Sequence, residues 1–201
     1  MTRTTLVCAT LLALAMLSCS PSAKTGKTVV SLAKYREHHL KSLVDDLRSP
    51  ITAQDLPHIE FYPENKAWKF TCTCDILQGE KPFELPTYSG ITRTYIRYAT
   101  ANCKYKTKPF KVTLYKNLTQ PSNPLYSDHL FLPFKDHTNG EESYGGGRYL
   151  DLKATDIIGG SITIDFNRCY NPWCAYSDGY NCPIPPRENH LEITSVPHVS
   201  A

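Results

Sequence analysis

Beyond residue 60 the hydrophobic period of this chain drops to two, and that change constrains the fold more than any other feature. Trp68, Phe70, Cys72, Cys74 and Ile76 alternate with Lys69, Thr71, Thr73 and Asp75. Strand side chains point alternately to opposite faces, so this segment reads as a half-buried strand with both cysteines turned inward. Further β-branched and aromatic runs follow at 92–100, 111–115, 130–133, 149–152 and 162–166. Turn residues separate them at Gly79, Ser89-Gly90, 121–124, Asn139-Gly140 and Gly159-Gly160. Short strands at this spacing predict a mainly β (α+β) domain, an antiparallel β-barrel or sandwich. One helix precedes it, over 32–48, because Leu32, Tyr35, Leu40, Leu43 and Leu47 recur at helical spacing. Ser31 suits its N-cap, and Ser49-Pro50 stops it. Its apolar stripe is expected to pack on the sheet. There is no internal repeat and no sign of a second folded domain.

The N-terminus reads as a targeting segment. Arg3 is the only charge before Lys24, and an apolar run from Leu6 to Leu17 follows it. That run is too short to span a bilayer, which takes roughly 20 apolar residues, but it fits a signal-peptide core. It closes on Leu17-Ser18-Cys19, which resembles a bacterial lipoprotein signal. The resemblance implies that Cys19 becomes the lipidated first residue of the mature chain. The alternative is an ordinary cleaved signal with Cys19 incidental. A polar Ser/Pro/Lys/Gly stretch follows, as a flexible tether should. The expected organisation is therefore a signal peptide over 1–18, a lipidated tether over 19–30 and a single β-rich domain over 31–201. Without an acidic run after Cys19, a periplasm-facing position in the cell envelope is expected. The membrane is then a partner only through the anchor.

Charge and cysteines narrow the chemistry. The formal net charge is +3 and the charges are interspersed, so no nucleic-acid partner is expected. The chain has 8 cysteines, of which Cys8 and Cys19 belong to the signal and anchor. Those left are Cys72, Cys74, Cys103, Cys169, Cys174 and Cys182, and an even number in an exported chain favours disulfides. Cys72 and Cys74, two apart on one strand face, cannot easily join each other. One of them can reach Cys103 on a neighbouring strand. The alternative is that both are small buried hydrophobes. Cys174 and Cys182 can close a short loop across Gly179. A zinc site recruiting His137 or His190, or a nucleophilic Cys174, are rival readings of the same thiols. The favoured reading needs no metal and no cofactor.

Two segments, 130–152 and 164–189, are dense in Gly, Pro, Asn, Asp and aromatics. Such residues fix a backbone rather than fill a helix. Gly145-Gly146-Gly147-Arg148 has neither the spacing nor the following helix of a phosphate loop. It reads as a tight bend before a strand, or as an anion-accepting loop with Arg148 as its clamp. Asp136, Asp151, Asp165 and Glu188 supply carboxylates for acid–base work or for turn capping and ion pairs.

The motifs Leu132-Pro133-Phe134-Lys135-Asp136, Thr138-Asn139-Gly140, Tyr144-Gly145-Gly146-Gly147-Arg148-Tyr149-Leu150-Asp151, Asp165-Phe166-Asn167, Tyr170-Asn171-Pro172, Cys174-Ala175-Tyr176-Ser177 and Cys182-Pro183 through Asn189 resemble the bacterial and archaeal family called domain of unknown function 1684. The resemblance extends roughly from Leu32 to Leu191. It implies no established activity. Cys169 stands where family members often have a small residue, and the C-terminal stretch after Leu191 departs from theirs.

The expected function is a lipid-anchored envelope protein that binds a small or extracellular ligand in a pocket built by the two segments. The candidate binding residues are Lys135, Asp136, Gly146, Arg148, Asp151, Asp165, Asn167, Tyr170 and Tyr176. A hydrolase using Asp136, Asp151 or Asp165 with Arg148, and a purely structural envelope protein, are the alternatives. The sequence leaves open whether the protein is an enzyme. On the binding reading, Arg148→Ala spares folding and abolishes ligand retention.

Overall fold

The computed structural model describes residues 30–119 and 126–193. The signal peptide, Cys19, nearly all of the tether and the turn expected at 121–124 lie outside the described residues. α1 spans Leu32–Asp45. The strands are β1 (Lys69–Ile76), β2 (Phe83–Pro86), β3 (Thr92–Tyr105), β4 (Lys108–Asn117), β5 (His129–Phe134), β6 (Arg148–Lys153) and β7 (Ser161–Asp165). They form one antiparallel sheet of seven strands in the order β6-β5-β4-β3-β1-β7, with β2 paired to the N-terminal part of β3. β6 and β7, consecutive in the chain, lie on opposite edges, and the sheet curls into a half-barrel. The expected β-rich domain with one N-terminal helix is present, as an open curled sheet.

Both sheet faces are covered. One face carries the larger core, including Trp68, Phe70, Cys72, Leu114, Leu132, Leu150, Ile164 and Phe166. The other carries Tyr95, Tyr115, Phe131 and Tyr149, onto which Tyr170, Trp173 and Tyr180 pack from the C-terminal segment. That segment runs as a rigid cover. The Ile184 amide donates to the Pro86 carbonyl, and the Tyr149 hydroxyl donates to the Pro183 carbonyl.

A proline inside a central strand normally breaks the ladder. Here Pro133 of β5 faces β4, and the two strands share only one registered pair, Tyr115 with Phe131. The side-chain amide of Asn189 fills the gap. Its Oδ1 accepts from the Thr113 amide at 2.7 Å, and its Nδ2 donates to the Thr113 and Pro133 carbonyls at 2.9 Å each. Asn189 is fully buried and acts as a stand-in for strand backbone.

α1 is shorter than its period suggested. Asp46 takes the C-cap, and Leu47, counted in the apolar stripe, is wholly exposed. Ser31 caps the N-terminus as expected by accepting from the Lys34 amide. The helix docks on the segment after β7. The Tyr35 hydroxyl donates to the Arg168 carbonyl, Arg36 donates to the Asn167 carbonyl, and the His39 ring packs on Tyr170. Among the described residues no helix is long and apolar enough to cross a membrane.

Cys72 faces Cys103 across β1 and β3 with Cα atoms 4.5 Å apart, and the two form a disulfide. Cys174 and Cys182 form the second. The even count did not lead to full pairing: Cys74 and Cys169 are buried and in no disulfide. Cys74 lies on the same strand face as Cys72, and its partner position on β3 is Ala101. Burial pushes the Cys169 thiol up to about 11. With Cys174 and Cys182 joined, the zinc and nucleophile readings lose the thiols they required.

Candidate ligand-binding site

The two motif segments do meet, chiefly through buried contacts. Tyr149 and Tyr170 exchange backbone hydrogen bonds at 2.9 Å, and the Lys135 backbone pairs with both Asn189 and Leu191. The glycine run serves close packing. A Cβ on Gly147, whose φ is +101°, would lie 2.5 Å from the Pro185 ring and 2.8 Å from the Phe134 carbonyl oxygen. A Cβ on Gly146 would strike the Tyr144 ring. The Gly146 carbonyl instead accepts from the Tyr88 hydroxyl.

Arg148 does not project from this bend. The strand alternation that puts Leu150 and Leu152 in the core puts Arg148 there too, with its side chain 0% exposed. Its Nη2 donates to Asp136 Oδ1 at 2.7 Å and to Thr138 Oγ1 at 3.2 Å, and the guanidinium lies 5.0 Å from the Phe134 ring centre. Asp136 Oδ1 also accepts from the Thr138 amide, the expected turn cap. This buried pair ties the 136–144 loop to the core. Its burial overturns the expectation that Arg148→Ala spares the fold, because the substitution strands a buried carboxylate.

The other candidates have partners of their own. Asp151, on the opposite face of β6, accepts from His129 Nε2 and from the Tyr170 hydroxyl, each at 2.8 Å. Burial and that carboxylate raise the Tyr170 pKa well above the usual phenol range. His39, packed on the same tyrosine, is held below the usual imidazole range by burial. Asp165 accepts from the Asn167 amide and side chain and lies 3.7 Å from Arg168. Asn167 exchanges two hydrogen bonds with the Asn65 backbone. Glu188 is held by Arg97 and the Tyr115 hydroxyl. Tyr176 is half-buried, and that burial raises its pKa.

Open space lies at one end of the half-barrel, beyond the β3–β4 hairpin. Two adjoining depressions of about 520 and 290 Å³ share His137 and Glu192 as lining residues. The larger reaches Tyr105, Lys106 and Lys108 of the hairpin, and the smaller reaches Lys135, Asn139 and His190. Lys135 Nζ donates to the Gly145 carbonyl at 2.8 Å, so the glycine bend positions this ammonium at the rim. Asp136 also borders the smaller depression, but its side chain is buried against Arg148. Glu192 is paired with His137 at 3.2 Å. Among the described residues Lys106 and Lys108 have no ion pair; Lys106 lies 5.3 Å from the Tyr105 ring centre.

Comparison with known proteins places the molecule. Residues 54–196 match the family described as "Protein of unknown function (DUF1684)". The chain belongs to this family. The match begins after α1. A solved relative is the uncharacterized protein from gene locus rrnAC0354 of Haloarcula marismortui, known from a solution NMR structure. It is 27% identical, with a TM-score of 0.60 over 84% of this chain and 96% of that one. No functionally curated protein matches. Of the site residues expected for this DUF1684 protein, only Lys135 and Asp136 line the open groove. Lys106, Lys108 and Glu192 were missed. The signal was a local one, the spacing Lys104-x-Lys106-x-Lys108, diluted in an otherwise balanced charge pattern.

Proposed function

We propose that this DUF1684 protein is a lipid-anchored, periplasm-facing envelope protein whose domain binds an anionic small or extracellular ligand in the groove at the hairpin end. The observation that carries this reading is the placement of Lys106 and Lys108 in one depression and Lys135 in the one adjoining it, where the exposed carboxylate they share, Glu192, already faces His137. Ammonium groups and imidazoles at hydrogen-bond reach are the donors that carboxylates and phosphates take. Tyr105 adds an aromatic wall. The anchor reading rests on the Leu17-Ser18-Cys19 signal and the polar stretch after it. Several acyl chains on Cys19 would hold the protein firmly at a bilayer.

A ligand that binds only the folded state raises the melting temperature with the logarithm of one plus the ratio of its concentration to Kd. Inorganic phosphate and short dicarboxylates, titrated against the purified chain, are expected to give a concentration-dependent rise of this form that Lys108→Ala removes. An unchanged midpoint with every anion, or an equal rise in Lys108→Ala, would overturn the groove. The anchor has its own test: labelled palmitate should enter the wild-type chain and not Cys19→Ala. The hydrolase alternative gains no support from the geometry, since Asp136 and Arg148 are committed to each other.

A further inference from the structure

We infer that the hairpin end of the domain is its membrane-facing end, and that the groove's lysines engage the phosphate headgroups of anionic lipids in the bilayer that holds the anchor. This deepens the proposed function and rests on it. Three observations lead to it.

The first is topological. The described chain begins at Val30, whose carbonyl accepts from Arg168 Nη2 at 2.7 Å. Arg168 follows directly on β7, whose last residue, Asp165, pairs with Lys69 at the start of β1. The next residue back, Trp68, stacks on Tyr105 at 4.7 Å, beside the hairpin tip. The end of β7 at Asp165 therefore lies two strands from Lys106, a lateral distance of roughly 10 Å at ordinary strand spacing, and the tether leaves the domain beside it on the Arg168 side chain. Residues 20–29 can reach about 35 Å when fully extended. A chain anchored at Cys19 holds this end of the domain close to the headgroups.

The second is charge. Lys104, Lys106, Lys108 and Lys111 lie within one hairpin, and all four are exposed. No salt bridge among the described residues involves any of them. Each lysine close to an anionic bilayer surface favours binding by about 1 kcal/mol, and a basic patch is the usual second signal beside an acyl anchor.

The third is backbone. Lys106 has φ +54°, the one positive value outside glycine among the described residues. A two-residue hairpin turn asks for glycine or asparagine at such a position, and a lysine there is held at a cost. Strain kept at one tip points to use of that side chain.

The experiment uses the full lipidated chain carrying Thr107→Cys, labelled with an environment-sensitive fluorophore. Position 107 is exposed, whereas Cys74 and Cys169, which are in no disulfide, are buried and stay unlabelled. The protein is reconstituted into vesicles of phosphatidylcholine alone or with phosphatidylglycerol. The expected result is a blue-shifted, lipid-quenchable label only in the anionic vesicles. It should return to the aqueous signal in about 1 M salt, where charges are screened beyond roughly 3 Å. Lys106→Glu with Lys108→Glu should weaken the bilayer-contact equilibrium by at least tenfold, in keeping with about 1 kcal/mol for each lysine lost. A label that stays aqueous in both vesicles while the protein floats with them overturns the inference and leaves the anchor standing. A chain that does not float overturns the anchor, and the orientation with it. A shift produced by soluble inorganic phosphate in neutral vesicles assigns the groove to a free anion and overturns the headgroup reading.

Discussion

Two charged clusters occupy the same end of the half-barrel and are built on opposite principles. Arg148 and Asp136 have fully buried side chains and are held by each other, Thr138 and the Phe134 ring. Lys106 and Lys108 sit on an exposed turn with no anion of their own among the described residues. A desolvated charge must be paired to be tolerated at all, whereas a solvated one can wait for a partner. The difference separates what the motif glycines and arginine do for the fold from what the hairpin offers to the outside.

The largest effect should come from breaking the sealed pair. Arg148→Ala is expected to destabilise the domain by about 3–5 kcal/mol, lowering the melting temperature by roughly 10 °C or more. Arg148→Met with Asp136→Leu should recover most of that loss, since neither charge is then left alone. Anion binding in the double variant should persist; its disappearance would show that the two clusters act as one site. Asn189→Ala comes next, at about 3 kcal/mol, because it leaves one buried amide and two carbonyls unpaired between β4 and β5. Hydrogen exchange should then rise at Thr113 before the rest of β4. The smallest effect has the opposite sign. Lys106→Gly relieves the positive φ and should stabilise by about 1 kcal/mol. It should also weaken anion or bilayer binding. A gain in stability with undiminished binding would mean that Lys106 is only a turn residue.

The expected folded-state role of the glycine run was legible, because Gly147 stands where a Cβ would meet Pro185 and Phe134. The strand pattern from Trp68 to Ile76, the Ser31 cap and the Cys174–Cys182 link were legible too, while the partner of Cys103 was left between Cys72 and Cys74. Each depends on near neighbours or on a strict period. β2 was missed because a strand of 4 residues ending in proline carries too little pattern. The β3–β4 turn was missed because Lys106-Thr107 has none of the usual turn residues.

The sequence alone determined the class of fold, the cysteines available for staples and the two segments dense in turn residues, since periodicity and turn chemistry are local and survive without coordinates. The tertiary structure decided which charges are inside and which are outside. Arg148 opens β6 and Lys106 lies in the turn after β3; alternation puts Arg148 on the face of Leu150 and Leu152, but that local pattern does not say that the end of the strand is closed off from water. Only the folded sheet brings Asp136, Thr138 and the Phe134 ring around the first and leaves the second at an open groove. Burial is a property of residues distant in the chain, and in this protein it is burial that divides scaffold from surface.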